Sequence, residues 1–165
     1  MAERDEIRGW LSGRIPGEWG QVSELRLDQH EILVTLRIPE PQGEGDAEAA
    51  RNGRIQQFRE STRDQRMEIA EEAQRKYGRA LSWSAQCGDT EQLFTHLALP
   101  IMTRLRLPER EVLDALVSSG IARSRAHALA WCVALVRKHE GDWLKELHEA
   151  MASVHRVRAQ GPKLH

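Results

Sequence analysis

The sequence predicts an α+β protein made of two units, and three observations support this prediction. Apolar and polar residues alternate between Val22 and Ile38, which is typical of strands. Residues 47–77 contain no proline and repeat apolar residues at near-helical spacing. The net charge is −5 over residues 1–99 and +4 over residues 100–165, from 13 Lys and Arg against 18 Asp and Glu, then 11 against 7. We therefore expect a small α+β domain at 1–99 and a second, basic domain at 100–165.

The composition indicates a soluble globular chain, since 40% of its 165 residues are hydrophobic. No apolar run approaches the roughly 18 residues that cross a bilayer, and the first ten residues lack the apolar region of a signal peptide. We expect a cytoplasmic protein with no membrane contact. Cys87 and Cys132 lie far apart and form no Cys-x-x-Cys pair, so we expect neither a disulfide nor a zinc site.

The first unit is predicted to begin with a helix and a hairpin. Residues 4–12 place Ile7, Trp10 and Leu11 on one helical face. Strands at 22–27 and 31–38 follow, joined by the polar residues 28–30. The apolar side chains of these strands are expected on one buried face: Leu25, Leu27, Ile32, Val34, Leu36 and Ile38. Residues 39–46, rich in proline and glycine, predict a flexible surface link.

One long helix is predicted at 47–77, with Gly78 at its C-cap, followed by a strand at 81–87. The arginines of the helix alternate with nearly as many carboxylates, which indicates a solvated, salt-bridged face. This order of elements is compatible with a small antiparallel sheet covered by helices on one side. Several RNA-binding folds share that layout with many proteins that bind no RNA.

The second unit begins with an alternation of apolar and basic residues that predicts a strand from Met102 to Leu107. Pro108 suits the first turn of a helix that ends near Gly120. Ser124 is a suitable N-cap for a second helix. The apolar stripe of this second helix consists of Leu129, Cys132, Val133, Leu135 and Val136.

The segment Met102–Val136 resembles the ribbon-helix-helix family of DNA-binding proteins. The resemblance implies that two chains pair their strands into an antiparallel ribbon, which enters the major groove of a palindromic operator. Met102, Arg104 and Arg106 would then face the bases, because arginine pairs well with guanine O6 and N7. The residues that would bind the phosphate backbone are Arg123, Ser124 and Arg125.

The second helix departs from the family pattern at its start, where Ser124-Arg-Ala-His127 lacks the carboxylate of a capping box. Trp131 is also large for an outward position, although a dimer could bury it. An alternative for 103–107 is an ordinary strand of a mixed domain whose arginines are solvated. The fold could also serve as a dimerisation module that does not bind DNA.

A third helix is predicted at 141–158, with Leu144, Leu147, Met151, Val154 and Val157 at helical spacing. It carries His148 and His155 on nearly one face, but no third ligand is visible, so no metal is expected. We find no catalytic motif and expect neither an enzyme nor a cofactor. Cys87, upstream of His96, is the one candidate nucleophile, and a buried strand cysteine explains it better.

The whole chain resembles uncharacterised conserved proteins of actinobacteria, around residues 81–94 and 128–136. Two functions follow from these observations. The first is a homodimeric transcriptional regulator of ribbon-helix-helix type that binds DNA, whose N-terminal unit senses a signal or binds a partner. The second is a non-catalytic interaction or adaptor protein that dimerises through its C-terminal half. In that case a protein, RNA or the ribosome would contact the N-terminal unit.

Overall fold

The computed structural model describes residues 2–42 and 45–160 of the chain. Residues 43 and 44 of the predicted link lie outside the described residues. The chain divides after Pro100 into two compact units, Met1–Pro100 and Ile101–His165. The structure confirms the α+β class, because a mixed sheet and helices make up the first unit and helices the second.

The first unit has α-helices and strands in the following chain order: α1 Ala2–Arg14, β1 Gln21–Leu27, β2 Glu31–Arg37, α2 Ala47–Ser61, α3 Arg63–Tyr77, β3 Ala80–Cys87 and β4 Thr90–Leu93. A 3-10 turn at Gly17–Trp19 joins α1 to β1. The predicted hairpin is confirmed, with Leu25 opposite Val34 and Leu27 opposite Ile32. Strand β4 was not predicted, and it pairs with β3 across a two-residue turn at Gly88 and Asp89.

The sheet has the strand order β1-β2-β3-β4, and it is mixed rather than antiparallel. Strands β1 and β4 are antiparallel to their neighbours, whereas β2 and β3 run parallel. The prediction of an antiparallel sheet is therefore wrong. Strands β2 and β3 are parallel because the crossover through α2 and α3 returns the chain to the end of the sheet at which β2 began.

The predicted long helix is interrupted at Thr62. The Thr62 hydroxyl donates to the Phe58 carbonyl at 2.6 Å and accepts from Arg66 Nε at 2.9 Å. Arg66 Nη2 donates to the Arg59 carbonyl at 2.6 Å, which satisfies one of the free carbonyls at the end of α2. A threonine that bonds to nearby backbone competes with the helical ladder, so two helices replace the predicted one.

Helices α1, α2 and α3 pack with one face of the sheet to form the core of this unit. Ile7 and Leu11 from α1 are fully buried, as are Leu36 from β2 and Ile69 from α3. Of the predicted hairpin core, Leu27 is half-buried and the other five residues are buried: Leu25, Ile32, Val34, Leu36 and Ile38.

Cys87 belongs to the same core and has no exposed area. Burial raises the pKa of its thiol. This environment disfavours the thiolate, which is the nucleophilic form of cysteine.

The second unit contains α4 Leu107–Ser118, α5 Arg125–His139 and α6 Gly141–Gln160. The strand predicted from Met102 to Leu107 is wrong for the single chain, because residues 101–106 pair with no described strand and Leu107 is the first residue of α4. A strand needs the backbone of a partner strand, and the rest of the described unit supplies only helices and turns. None of the helices in the described ranges combines the length and the apolar character of a membrane span.

We predict that one substitution, Gly→Ala, has opposite effects at two positions of the first unit. Gly20 has φ +112°, and an added methyl group would clash with the Arg37 carbonyl, so Gly20→Ala should destabilise by roughly 2 kcal/mol or more. Gly53 lies in α2 with open space around it, so Gly53→Ala should stabilise by about 0.5–1 kcal/mol.

The measurement is urea unfolding followed by tryptophan fluorescence in a Trp131→Phe, Trp143→Phe background, which leaves only the tryptophans of the first unit. Equal effects of the two substitutions would contradict the geometry described at Gly20.

Candidate nucleic-acid interface

The segment before α4, Ile101–Arg106, belongs to no helix or strand and is highly exposed, and its last residue, Arg106, is extended. Ile101 and Met102 expose 90% and 96% of their surface, and Arg104 and Arg106 are exposed as well. Leu105 alone is half-buried. Because side chains alternate along an extended backbone, Arg104 and Arg106 point away from the side on which Leu105 packs. The predicted base-facing arginines thus share one side of this segment.

Leu105 packs against a small cluster that connects α4 to α5. Leu113 of α4, Ala122 of the connecting turn and Ala128 of α5 are its buried members. Half-buried side chains around them are Leu105, Leu116, Val117, Leu129 and Cys132. This cluster positions the extended segment next to the two helices.

The start of α4 is connected to the extended segment by Arg110. Its backbone amide donates to the Arg106 carbonyl at 3.1 Å, and its Nη1 donates to the Leu105 carbonyl at 2.7 Å. Arg106 itself is extended, with φ −81° and ψ 175°. Two donors from one arginine therefore occupy the carbonyls of the two residues that precede the helix.

Ser124 caps α5 as predicted, since its hydroxyl accepts from the His127 amide at 3.2 Å. His127 Nδ1 in turn accepts from the Arg123 amide at 3.2 Å, which requires Nδ1 to be unprotonated. In a capping box, the third residue of the helix accepts from the amide of the N-cap itself, whereas this imidazole accepts from the residue before the N-cap. This arrangement is therefore not a capping box, which agrees with the sequence prediction.

Arg125 forms an ion pair with Asp114 that links α5 to α4. Its Nε and Nη2 lie 2.6 and 2.7 Å from the two carboxylate oxygens of Asp114. The hydrogen bond from Arg125 lowers the pKa of Asp114, and the pKa of Arg125 is raised for the same reason. A phosphate would have to compete with Asp114 for this guanidinium. Asp114 is a residue that sequence analysis missed, since nothing in the helical period identifies which carboxylate faces α5.

Three arginines close to the starts of α4 and α5 are available to a ligand. Arg104, Arg106 and Arg123 are exposed, and none of them forms an ion pair with a residue in the described ranges. Arg123 directly precedes the N-cap of α5. The first two residues of that helix, Arg125 and Ala126, have amides without intrahelical acceptors. Arg123 thus carries its charge close to two free backbone donors.

The second unit also exposes an unusual amount of apolar surface. Fourteen of its large hydrophobic residues are exposed in the described ranges, compared with four in the first unit. They include residues of all three helices and of the extended segment: Ile101, Met102, Leu107, Val112, Ile121, Trp131, Val133, Leu135, Val136, Trp143, Leu147, Met151, Val154 and Val157. Of the apolar stripe predicted for α5, Leu129 and Cys132 are half-buried, and Val133, Leu135 and Val136 are exposed.

Metal-ligand geometry is not found in the described part of the chain, where no group of three His, Cys, Asp or Glu side chains could hold a metal ion. His148 Nδ1 lies 2.7 Å from the Leu144 carbonyl.

Two family models match the chain. The model described as Rv1265-like protein, N-terminal domain, matches residues 5–93, and the model described as Mb1296 C-terminal domain matches residues 106–158. The chain belongs to the Rv1265-like family. The two matched regions fall within the two compact units of the structure.

Members of the Rv1265-like family in mycobacteria are similar to this chain over most of its length. Uncharacterized protein Rv1265 of Mycobacterium tuberculosis H37Rv and uncharacterized protein Mb1296 of Mycobacterium bovis are each 48% identical over 158 residues. The aligned region is 94% of this chain and 70% of each relative. No solved structure matches. The resemblance to uncharacterised actinobacterial proteins is confirmed, whereas the ribbon-helix-helix resemblance is not confirmed.

We predict that the pKa of Asp114 lies below the ordinary 3.8 of an aspartate and rises toward 3.8 in Arg125→Gln. The contribution of this ion pair to stability is then present above pH 3.8 and is lost as the pH falls through the lowered pKa. NMR titration of the Asp114 carboxyl carbon measures this shift. Arg123→Gln removes a neighbouring charge without breaking the ion pair and is the control. An Asp114 pKa that is insensitive to Arg125→Gln would contradict the ion pair.

Proposed function

We propose that this chain is a cytoplasmic, homodimeric DNA-binding protein and transcriptional regulator of ribbon-helix-helix type. One observation carries the proposal. An extended segment without a strand partner, Ile101–Arg106, presents exposed arginines directly before a helix pair that leaves much of its apolar surface uncovered.

The backbone of the extended segment can acquire its missing partner from a second copy. Two such segments related by a two-fold axis would pair antiparallel, because a symmetric dimer uses the same surface on both subunits. Leu105 already packs on the Leu113–Ala128 cluster, so Arg104 and Arg106 would lie on the outer face of the resulting ribbon. Met102 lies on the same side by alternation.

Dimerisation would also complete the core of the second unit. Fully burying an aliphatic side chain contributes about 1.5–3 kcal/mol, whereas fixing the backbone of each residue costs about 1–2 kcal/mol. The second unit buries only three hydrophobic side chains in its described residues, and two of these are alanines. At roughly 100 Å² for each half-exposed side chain, about eight of the exposed residues would supply the roughly 800 Å² per partner of a standard interface.

The charge of the second unit favours a polyanionic partner. Residues 100–165 carry a net charge of +4, and Arg104, Arg106 and Arg123 make no ion pair with a described residue. Arginines on the face of a ribbon can form paired hydrogen bonds with guanine, whereas an arginine beside a helix N-terminus binds phosphate. Arg125 would contribute to phosphate binding only after it leaves Asp114.

The second candidate function is a dimeric interaction protein without DNA recognition, and α6 favours it. Leu147, Met151 and Val154 of this helix are all exposed, at spacings of four and three residues. Such spacing is typical of helices that pack on a partner helix. In this case Arg104 and Arg106 would be solvated, and a protein would cover α6.

We predict that Arg104→Ala, Arg106→Ala removes sequence discrimination, because each arginine that contacts guanine contributes about 1–3 kcal/mol of specificity. Arg123→Ala should instead weaken binding to all sequences alike. The measurement is fluorescence anisotropy with a duplex selected from a random pool and with a scrambled duplex, at two salt concentrations.

The matched control for this experiment is Arg63→Ala, Arg75→Ala, which removes the same charge from 70%-exposed side chains of α3. It should leave both affinities unchanged within twofold. An unchanged sequence preference in Arg104→Ala, Arg106→Ala would refute base contact by the ribbon. A dimer that binds no duplex at low salt would instead favour the interaction protein.

A further inference from the structure

An open cleft lies in the N-terminal unit at the carboxyl ends of the parallel strands β2 and β3. Its volume is about 740 Å³, which is within the roughly 300–1,000 Å³ of sites for small ligands. Arg37 and Gln86 line it from the ends of these two strands, and Gly17, Gly20 and Gln21 line it from the start of β1 and the turn before it. Parallel strands joined by a helical crossover commonly bind ligands at their carboxyl ends.

A row of three polar side chains crosses the sheet at this edge. Arg37 is paired in register with Gln21 on one side and with Gln86 on the other. Residues paired in this way project from the same face of a sheet, so the side chains of Gln21 and Gln86 flank that of Arg37. Arg37 is exposed and forms no ion pair with a described residue. This row can therefore donate several hydrogen bonds to an anion.

Another part of the cleft wall carries carboxylates that are held by Arg51. Arg51 Nε lies 2.9 Å from Glu40 Oε2, and its Nη1 lies 3.9 Å from Asp89 Oδ2. The hydrogen bond to Glu40 raises the pKa of Arg51. One guanidinium faces two carboxylates here, so this part of the wall has a net negative charge and accepts hydrogen bonds.

Gly88 allows this ion-paired wall to form. It has φ +57°, and an added Cβ would lie 2.6 Å from Arg51 Nε and 2.8 Å from Glu40 Oε2. Both distances are shorter than a carbon atom normally permits, and the neighbouring groups already form the ion pair. A larger residue at this position would displace the ends of the Arg51 and Glu40 side chains.

We infer that this cleft binds a small organic anion that also carries hydrogen-bond donors, the class that includes hydroxy acids and sugar phosphates. The anionic group contacts Arg37 between the amides of Gln21 and Gln86. Hydroxyl groups of the ligand donate to the carboxylates of Glu40 and Asp89. An anion without such donors meets those carboxylates without a hydrogen bond, and so binds more weakly.

This site belongs to the first unit and does not depend on the proposed binding of DNA by the second unit. Its residues are distinct from Arg104, Arg106 and Arg123, so the two activities are tested by different variants. A ligand site in the N-terminal unit would give the protein a signal to which it can respond.

The test uses the ¹⁵N-labelled 165-residue chain and four probes in two matched pairs. Malate is compared with succinate, which lacks its hydroxyl, and ribose 5-phosphate is compared with inorganic phosphate. We expect saturable shifts from malate or ribose 5-phosphate, confined to the backbone amides of 17–21, 37–40 and 86–89 and to the side-chain amides of Gln21 and Gln86. The pair that responds identifies the anionic group as a carboxylate or a phosphate.

Arg37→Gln should weaken this binding roughly tenfold or more, because a charge-assisted hydrogen bond is lost. Arg26→Gln is the matched control, since it removes the same charge from an exposed arginine of the neighbouring strand β1 and should leave binding unchanged. Three results would overturn the inference: no saturable shift from any probe on the order of 10 mM, equal affinity for the two members of the pair that responds, or equal weakening by the two variants.

Discussion

The scarcity of buried apolar side chains in the C-terminal unit is the constraint on which our account of this protein depends. Leu113, Ala122 and Ala128 are its buried hydrophobic residues in the described ranges, whereas fourteen large hydrophobic residues are exposed. The entropy of ordering the unit is too large for that core to offset alone. A second copy would cover the apolar surface and would also pair those backbone groups of Ile101–Arg106 that Arg110 does not occupy. On this account dimerisation and formation of the DNA-binding ribbon are one event.

The N-terminal unit has the opposite character. Its helices and sheet enclose a core of 18 buried hydrophobic residues. Its polar residues are concentrated where the parallel strands end, around Arg37 and the Arg51–Glu40 ion pair. In our proposals, the acidic unit would bind a small ligand and the basic unit would bind nucleic acid. This division of roles agrees with the change in net charge from −5 to +4 along the chain.

Local patterns in the sequence predicted most helices and strands. The sequence predictions failed where the structure depends on contacts between residues that are distant in sequence. The alternation in β2 identified its buried face, and Ser124 identified the start of α5, because both patterns are local. The helix break at Thr62 depends on hydrogen bonds from Arg66. At the candidate interface, pattern analysis identified the arginines but missed Asp114, whose contact with Arg125 spans eleven residues. A strand at 102–107 could not form within one chain, since its partner would come from another.

Hydrogen exchange of the amides of residues 102–106 tests the central claim most directly. In one chain these amides have no strand partner, so they should exchange freely at high dilution. We predict that protection of residues 102–106, and with it protection of α4 and α5, rises with protein concentration. Val133→Glu, on the exposed surface of α5, should abolish these two concentration-dependent increases. Met67→Glu, at an exposed residue of α3, should leave both unchanged. Free exchange of 102–106 at every concentration, with α4 and α5 fully protected, would contradict the account.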